Sequence, residues 1–273
     1  MRLKIYHIDA FTNEVFKGNY AAVVVLNEWL PTEVMQNIAS ENNLSETAFV
    51  KQNEKSSYEI RWFSPLCEIN FCGHATLAAS FVLFEHYIDG NETDNREIVF
   101  STQHVGKLSV TQAEKGFIKM LFPNRLPETV SNIPKVLISA LSIKPSEVLR
   151  NNQAYFALYE NAQDILKLEA NSELLKQLAP YDVVVSSQAN IESEYDFISR
   201  YFWPANGGDE DPVTGSIHAG LAPLWAKRLH KKQLKAYQAS KRGGILYCNV
   251  TDKTIEILGQ AVQYLVGEIS IDL

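Results

Sequence analysis

The chain has few cysteines, no excess of basic residues and no long apolar run, and each shortage argues against a class of protein. Its 273 residues include three cysteines, Cys67, Cys72 and Cys248, without CxxC spacing. A disulfide framework or a zinc knuckle is therefore not indicated. The 32 acidic residues outnumber 25 basic ones, which gives a net charge of −7. Nucleic acid is an unfavourable partner, since its binding needs a basic face.

Membrane and export roles are disfavoured in the same way. No apolar run reaches the roughly 18 to 20 residues of a membrane-spanning helix. Residues 1–9 lack the apolar core and cleavage site of a signal peptide, and their pattern predicts a strand. We therefore expect a cytoplasmic protein. The basic stretch 227–232 is typical of a helix C-terminus, where cations meet the negative end of the helix dipole.

What remains is an ordinary folded composition, with 46% hydrophobic and 21% charged residues. The length exceeds the usual single domain, so two lobes of about 120 to 140 residues are expected. A proline-containing stretch over 123–134 has no clear periodicity and resembles a linker. The predicted lobes are 1–125 and 126–262.

Each lobe is predicted to place one buried apolar helix among strands. For the first lobe the pattern predicts helices at 32–41 and from near Gly73, and strands at 3–8, 22–26, 47–51, 58–63, 97–101, 105–111 and 117–122. For the second it predicts a short helix, an apolar helix beginning near Gly215, and strands at 153–158, 183–187, 196–202, 246–250 and 254–258.

The two apolar helices begin in similar ways. Segments 71–78 and 213–220 both combine a glycine, Gly73 or Gly215, with a polar side chain. A helix start offers unpaired N–H groups and a partial positive charge, which can hold a carboxylate. The alternative is two ordinary capped helix starts, with Thr214 or Ser216 as the cap of the second.

Glu46 stands where a loop enters an apolar strand, in the segment 43–50 (NLSETAFV). In a closed site such a carboxyl group can take up and return a proton, which is general acid–base chemistry. The alternative is a solvated surface glutamate at the end of a loop.

Several motifs, in chain order, resemble those of the phenazine-biosynthesis (PhzF-like) isomerase family, which has the diaminopimelate-epimerase fold. They are 9–12 (DAFT) with 18–23 (GNYAAV), 43–50, 61–76 (RWFSPLCEINFCGHAT) and 208–216 (GDEDPVTGS), with a weaker match at 240–244. The resemblance implies an α+β protein of two similar lobes, each a mixed β-sheet wrapped around a central helix, with the active site in the cleft between them. It also implies that a C-terminal strand at about 263–273 completes the first lobe's sheet, and that the protein is a homodimer.

The resemblance assigns roles to particular positions. It implies Glu46 as the acid/base residue and His74 and Asp211 as further catalytic residues. It implies that Asn19, Cys72, Gly73, Gly215 and Ser216 bind a small carboxylate substrate, without metal or cofactor. The chain departs from the family pattern at Tyr20, where proline is usual. In diaminopimelate epimerases two thiols act together, and segment 211–214 holds no second cysteine, so a two-thiol racemase is excluded.

Three functions remain open at this stage. The first is a cofactor-independent isomerase that moves a proton by means of Glu46. The second is a hydrolase with Cys72 as nucleophile, its thiolate stabilised by the helix start and by His74; His74 is only two residues away, so its ring need not reach the sulfur. The third is a small-carboxylate binding protein without turnover.

Overall fold

The computed structural model describes residues 1–54, 57–88 and 96–271. The chain divides into two compact units, one of Met1–Leu121 with Leu258–Leu273 and one of Phe122–Ile257. Residues 272 and 273, which belong to the strand predicted at about 263–273, lie outside the described residues.

The first unit is a mixed sheet with two α-helices. Its elements are β1 (Arg2–Ala10), β2 (Asn19–Leu26), α1 (Thr32–Asn42), β3 (Glu46–Glu54), β4 (Ser57–Phe63), β5 (Glu68–Ile69), α2 (Gly73–His86), β6 (Glu97–Ser101), β7 (Lys107–Gln112), a 3-10 turn (Glu114–Gly116), β8 (Ile118–Pro123) and the last strand, β18 (Ala261–Ser270).

The sheet of this unit runs in the order β18–β1–β2–β3–β4–β6–β7–β8. The β2–β3 and β4–β6 pairs are parallel and the others are antiparallel. Helix α2 is apolar on all sides, and 11 of its 14 residues are buried against β1, β2 and β3. A helix of this composition is stable when it is buried on all sides, and β1, β2 and β3 form part of its surroundings. Helix α1 packs against β3 and β4.

The second unit is also a mixed sheet with helices. Its elements are β9 (Glu128–Thr129), α3 (Lys135–Ala140), β10 (Glu147–Arg150), β11 (Ala154–Tyr159), α4 (Ala162–Lys167), α5 (Ser172–Leu175), a 3-10 turn (Lys176–Leu178), β12 (Asp182–Gln188), β13 (Phe197–Trp203), β14 (Gly208–Asp211), α6 (His218–Leu229), β15 (Gln233–Gln238), β16 (Gly244–Val250) and β17 (Thr254–Gly259).

The two units repeat one topology. In the first, β1–β2 is antiparallel, β2–β3 parallel, β3–β4 antiparallel, β4–β6 parallel and β6–β7 antiparallel. In the second, β10–β11, β11–β12, β12–β13, β13–β15 and β15–β16 follow the same series of directions. Helices α2 and α6 occupy the same place in that series. The predicted α+β class with two similar lobes is therefore confirmed.

Some details differ from the prediction. Helix α6 begins at His218, three residues after Gly215, because residues 215–220 first form a tighter turn in which the His218 and Ala219 amides donate to the Gly215 and Ser216 carbonyls. The basic stretch lies as predicted, with Lys227 and Arg228 in the last turn of α6. Within the described ranges, no helix is long and apolar enough to cross a membrane.

Candidate active site

Glu46 is the first residue of β3, where it lies opposite Ala21 of the parallel strand β2. Its side chain is only 3% exposed. The strand continues into the buried residues Ala48, Phe49 and Val50. Because these apolar side chains pack in the core, the start of the strand and Glu46 are buried as well. The interpretation of Glu46 as a solvated surface residue is therefore wrong.

His74, the second residue of α2, is the partner of Glu46. Its Nε2 lies 2.7 Å from Oε2 of Glu46, and both side chains are buried. With the ring protonated, this contact is an ion pair. On the other side of the ring, Nδ1 lies 3.0 Å from Nδ2 of Asn19. The imidazole is thus held between a carboxylate and an amide.

Asn19 reaches this position through a tight turn. The preceding Gly18 has φ of 63°, and a Cβ at this position would lie 2.1 Å from the carbonyl oxygen of Ala10. Glycine is therefore required for the chain to enter β2 beside β1. Tyr20, where the family usually has proline, is the next residue of β2 and lies opposite Asp9 of β1.

Cys72 is the N-cap residue of α2, and its Sγ lies 3.4 Å from Nδ1 of His74. The ring of His74 therefore reaches the sulfur, which the spacing of two residues alone did not require. Burial, reinforced by the charge of Glu46, raises the pKa of the Cys72 thiol to about 11. Burial alone would lower the pKa of His74, but Cys72 and Glu46 outweigh it and raise that pKa well above its usual value. The thiol of Cys72 therefore stays protonated, and the imidazole of His74 holds its proton beside Glu46.

The same three residues could in principle hold a metal ion. The ligand atoms of Glu46, Cys72 and His74 lie within 4.8 Å of one another, and this donor set is one that zinc accepts. Both imidazole nitrogens already face protein groups, Glu46 on one side and Asn19 on the other. A metal would have to displace one of these contacts, and the absence of a metal from the mechanism stays a prediction.

Asp211 ends β14 in the second unit, opposite Tyr201 of β13, and is buried. Its carboxylate accepts a hydrogen bond from the hydroxyl of Thr214. The buried side chain of Gln238 bonds both ends of the loop that follows Asp211. Its Nε2 donates to the Asp211 carbonyl at 2.8 Å, and its Oε1 accepts from the Thr214 amide at 2.9 Å. The hydroxyl of Ser240 donates to the carbonyl of Pro212 at 2.7 Å. The 211–214 loop is thus held by side chains from the last residue of β15 and from the segment just after it.

Gly215 and Ser216 lie in the turn that leads into α6, and this corrects their predicted place at the helix start. The N-cap residue is Ile217, and among the described residues no side chain caps this helix, so neither Thr214 nor Ser216 is the cap. The Ser216 hydroxyl is instead bonded by Nε2 of Gln153 at 2.9 Å.

The first unit therefore brings together Glu46, His74, Cys72, Gly73 and Asn19, and the second holds Asp211, Gly215 and Ser216. Sequence reasoning missed Gln153 and Gln238. Each is distant in sequence from the motif residue that it bonds, and glutamine in a strand or loop carries no pattern that would single it out. Thr214 stood inside a recognised motif, and its hydroxyl is of a type that commonly orients a neighbouring carboxylate.

A family model described as "Phenazine biosynthesis-like protein" matches residues 8–267. Among curated proteins, an uncharacterized isomerase of Halalkalibacterium halodurans is 42% identical over 98% of this chain and 99% of its own length. An uncharacterized isomerase of Pseudomonas aeruginosa is 40% identical over 98% of this chain and 99% of its own length.

Among solved structures, a phenazine biosynthesis protein of the PhzF family from Enterococcus faecalis superposes with a TM-score of 0.91 at 42% identity. The match covers 99% of this chain and all of that protein. The range 8–267 that the family model matches contains all the motifs described above.

Proposed function

The chain belongs to the family of phenazine biosynthesis-like proteins and is an isomerase, and from this premise we propose that it moves a proton within a small carboxylate without a cofactor. Glu46 is the general acid and base of this reaction. The observation that carries the proposal is the buried Glu46 carboxylate, 2.7 Å from the imidazole of His74.

The chemistry follows from this pair. Glu46 removes a proton from a carbon that conjugation has made acidic, and the same carboxyl group returns it to another carbon of the substrate. A transfer on one face needs a single base. The imidazolium of His74 stabilises the charge that develops and keeps Glu46 oriented. Such acid–base groups contribute on the order of 10² to 10⁴ in rate.

The substrate's carboxylate is held by backbone amides at the start of α2. Within the described part of the chain no side chain caps this helix, so its first N–H groups are available to a ligand. Gly73, the first helical residue, has no side chain to obstruct the approach. The positive end of the helix dipole favours an anion at this position.

The hydrolase with Cys72 as nucleophile is less well supported. A nucleophilic cysteine reacts as a thiolate and usually has a lowered pKa. Cys72 is buried and its pKa is raised to about 11. His74 contacts the sulfur, but its proton pairs with Glu46 and does not generate a thiolate.

The test is the exchange of Glu46 for glutamine, which keeps the volume and removes the basic oxygen. Small unsaturated carboxylates are incubated with enzyme in deuterium oxide, and deuterium entering carbon is followed by NMR. For a compound that the wild type turns over, Glu46→Gln should lower the rate at least ~10²-fold and leave binding and melting temperature nearly unchanged. The matched control is Glu85→Gln, on the exposed part of α2.

Two outcomes would contradict the proposal. Equal deuterium uptake by wild type and Glu46→Gln would remove Glu46 from the proton transfer. Ligands that bind the wild type without any exchange into carbon would favour the carboxylate-binding protein.

A further inference from the structure

The internal repeat gives Glu46 a counterpart in the second unit. Glu46 begins β3 opposite Ala21 of the parallel strand β2, and Asp182 begins β12 opposite Ala154 of the parallel strand β11. The two strand pairs occupy the same place in the two sheets. Asp182 is therefore a carboxylate at the position that the proposed catalytic base occupies in the first unit.

Asp182 is bonded on both oxygens. The hydroxyl of Tyr201 donates to Oδ2 at 2.5 Å, and Nδ2 of Asn206 donates to Oδ1 at 2.7 Å. Burial raises the pKa of Asp182, and these two hydrogen bonds oppose the shift. Two donors directed at its two oxygens are the environment of a carboxylate, which has no hydrogen of its own to give.

This charge determines the direction of the neighbouring hydrogen bonds. Because the Tyr201 hydroxyl hydrogen is directed at Asp182, its oxygen can only accept a bond from elsewhere. The group that faces this oxygen is the side-chain amide of Gln153, with Nε2 at 3.1 Å. Its NH₂ group, and not its carbonyl oxygen, must therefore face Tyr201.

The same nitrogen lies 2.9 Å from Oγ of Ser216. With one amide hydrogen on Tyr201, the other is directed at Ser216, whose oxygen is then an acceptor. The Ser216 hydrogen has to point away from Gln153. Across the described ranges, no group of the protein accepts it.

We propose that Asp182, Tyr201 and Gln153 form a positioning chain that holds the hydroxyl of Ser216 as a hydrogen-bond donor to a carboxylate ligand. This inference rests on the proposed function for the identity of the ligand. The hydrogen order itself does not depend on it. Asp182, Tyr201 and Gln153 are positioning residues, and Ser216 is the member of the set that meets the ligand.

The hydrogen order can be observed directly in a neutron structure of the perdeuterated protein. We expect deuterium on the Tyr201 oxygen directed at Asp182, both amide deuterons of Gln153 directed at Tyr201 and Ser216, and the Ser216 deuteron directed away from Gln153. A Ser216 deuteron directed at Gln153, or a deuteron on Asp182, would overturn the proposal. This result does not require any substrate, so it is independent of the proposed function.

A double-mutant cycle tests the consequence for catalysis on a carboxylate that the wild type turns over. Ser216→Ala and Tyr201→Phe should each raise KM about tenfold with a smaller change in kcat, which is the effect of one charge-assisted hydrogen bond. If Tyr201 acts through Ser216, the double variant should be no worse than either single variant.

Two controls keep the cycle decisive. Gln153→Leu, which breaks the chain at another link, should reproduce the Tyr201→Phe effect and replaces it if that variant does not fold. Tyr195→Phe removes the hydroxyl of a tyrosine that does not belong to the positioning chain, and it should leave KM unchanged. Independent effects that multiply to about a hundredfold in the double variant would show a general structural role and would overturn the positioning chain. A wild type without turnover would count against the proposed function alone.

Discussion

The reactivity of Cys72 offers a direct measurement on the candidate site. Iodoacetamide reacts with thiolates, so its rate follows the deprotonated fraction. With the pKa of Cys72 raised to about 11, roughly one thiol in 3,000 is ionised at about pH 7.5. A thiol with a pKa near 9 would be ionised in roughly one of 30. The smaller ionised fraction alone therefore lowers the alkylation rate of Cys72 about 100-fold, and the burial of its sulfur lowers that rate further.

The assay is alkylation of the folded protein over time, followed by digestion and mass spectrometry of each cysteine peptide. Cys67 is exposed and serves as the internal standard, and the buried Cys248, whose pKa burial raises to about 12, serves as a second slow site. Denatured protein gives the rate of each peptide without the fold. Cys67 should be fully modified before Cys72 is detected, and turnover should persist.

The opposite result would refute this reasoning. Alkylation of Cys72 as fast as that of Cys67, with turnover lost in parallel, would mean that the cluster holds a thiolate beside His74. The charge distribution that we assign to the site would then be wrong, and the hydrolase with Cys72 as nucleophile would become the better-supported function.

Two further predictions concern pH and assembly. Burial lowers the pKa of His218 to about 4, while its Nδ1–H donates to the Thr214 carbonyl. As the pH falls, the imidazole of His218 takes up a proton in the unfolded chain before it does so in the folded protein. Below about pH 6.5 the free energy of unfolding of the wild type should therefore fall by about 1.4 kcal/mol per pH unit from this group. His218→Gln should lack this part of the slope in urea unfolding, and equal slopes would contradict the assignment. We also expect a homodimer, because Phe16 and Tyr264 form an exposed aromatic pair beside other apolar residues of β18. Light scattering should give twice the chain's 30.8 kDa, and a monomeric mass would refute it.

The fold was largely predictable because its strands are β-branched or aromatic and bounded by turn residues. The segments 58–63 and 97–101 show this, and they became β4 and β6. Strand β15 (Gln233–Gln238) was missed because it follows directly on the basic end of α6 and is short, with a glutamine at each end. The late start of α6 was missed because the hydrogen bonds of its leading turn depend on geometry that a periodicity does not specify.

The candidate site was predictable only where one motif held the residue. Glu46 and His74 were identified, but their contact joins the start of a strand to the start of a helix 28 positions later, and no local pattern reports it. The hydrogen bonds of Gln153 join it to residues 48 and 63 positions away. Only the repeated topology of the two units points to the surroundings of Gln153. That repeat can be recognised only when the strand pairings are known.

The comparison of the two strand-start carboxylates gives a physical reason for their different roles. Asp182 is bonded by a phenol and an amide, and neither gives up its proton readily, since the pKa of Tyr201 is raised well above its usual value by burial and by Asp182 itself. Both oxygens of Asp182 therefore accept hydrogen bonds. Glu46 instead faces the imidazole of His74, whose Nε2 lies 2.7 Å from Oε2 of Glu46. One fold position is thus used in two ways: in the second unit the Asp182 carboxyl group accepts two hydrogen bonds, and in the first unit, in the proposed reaction, the Glu46 carboxyl group transfers a proton to and from carbon.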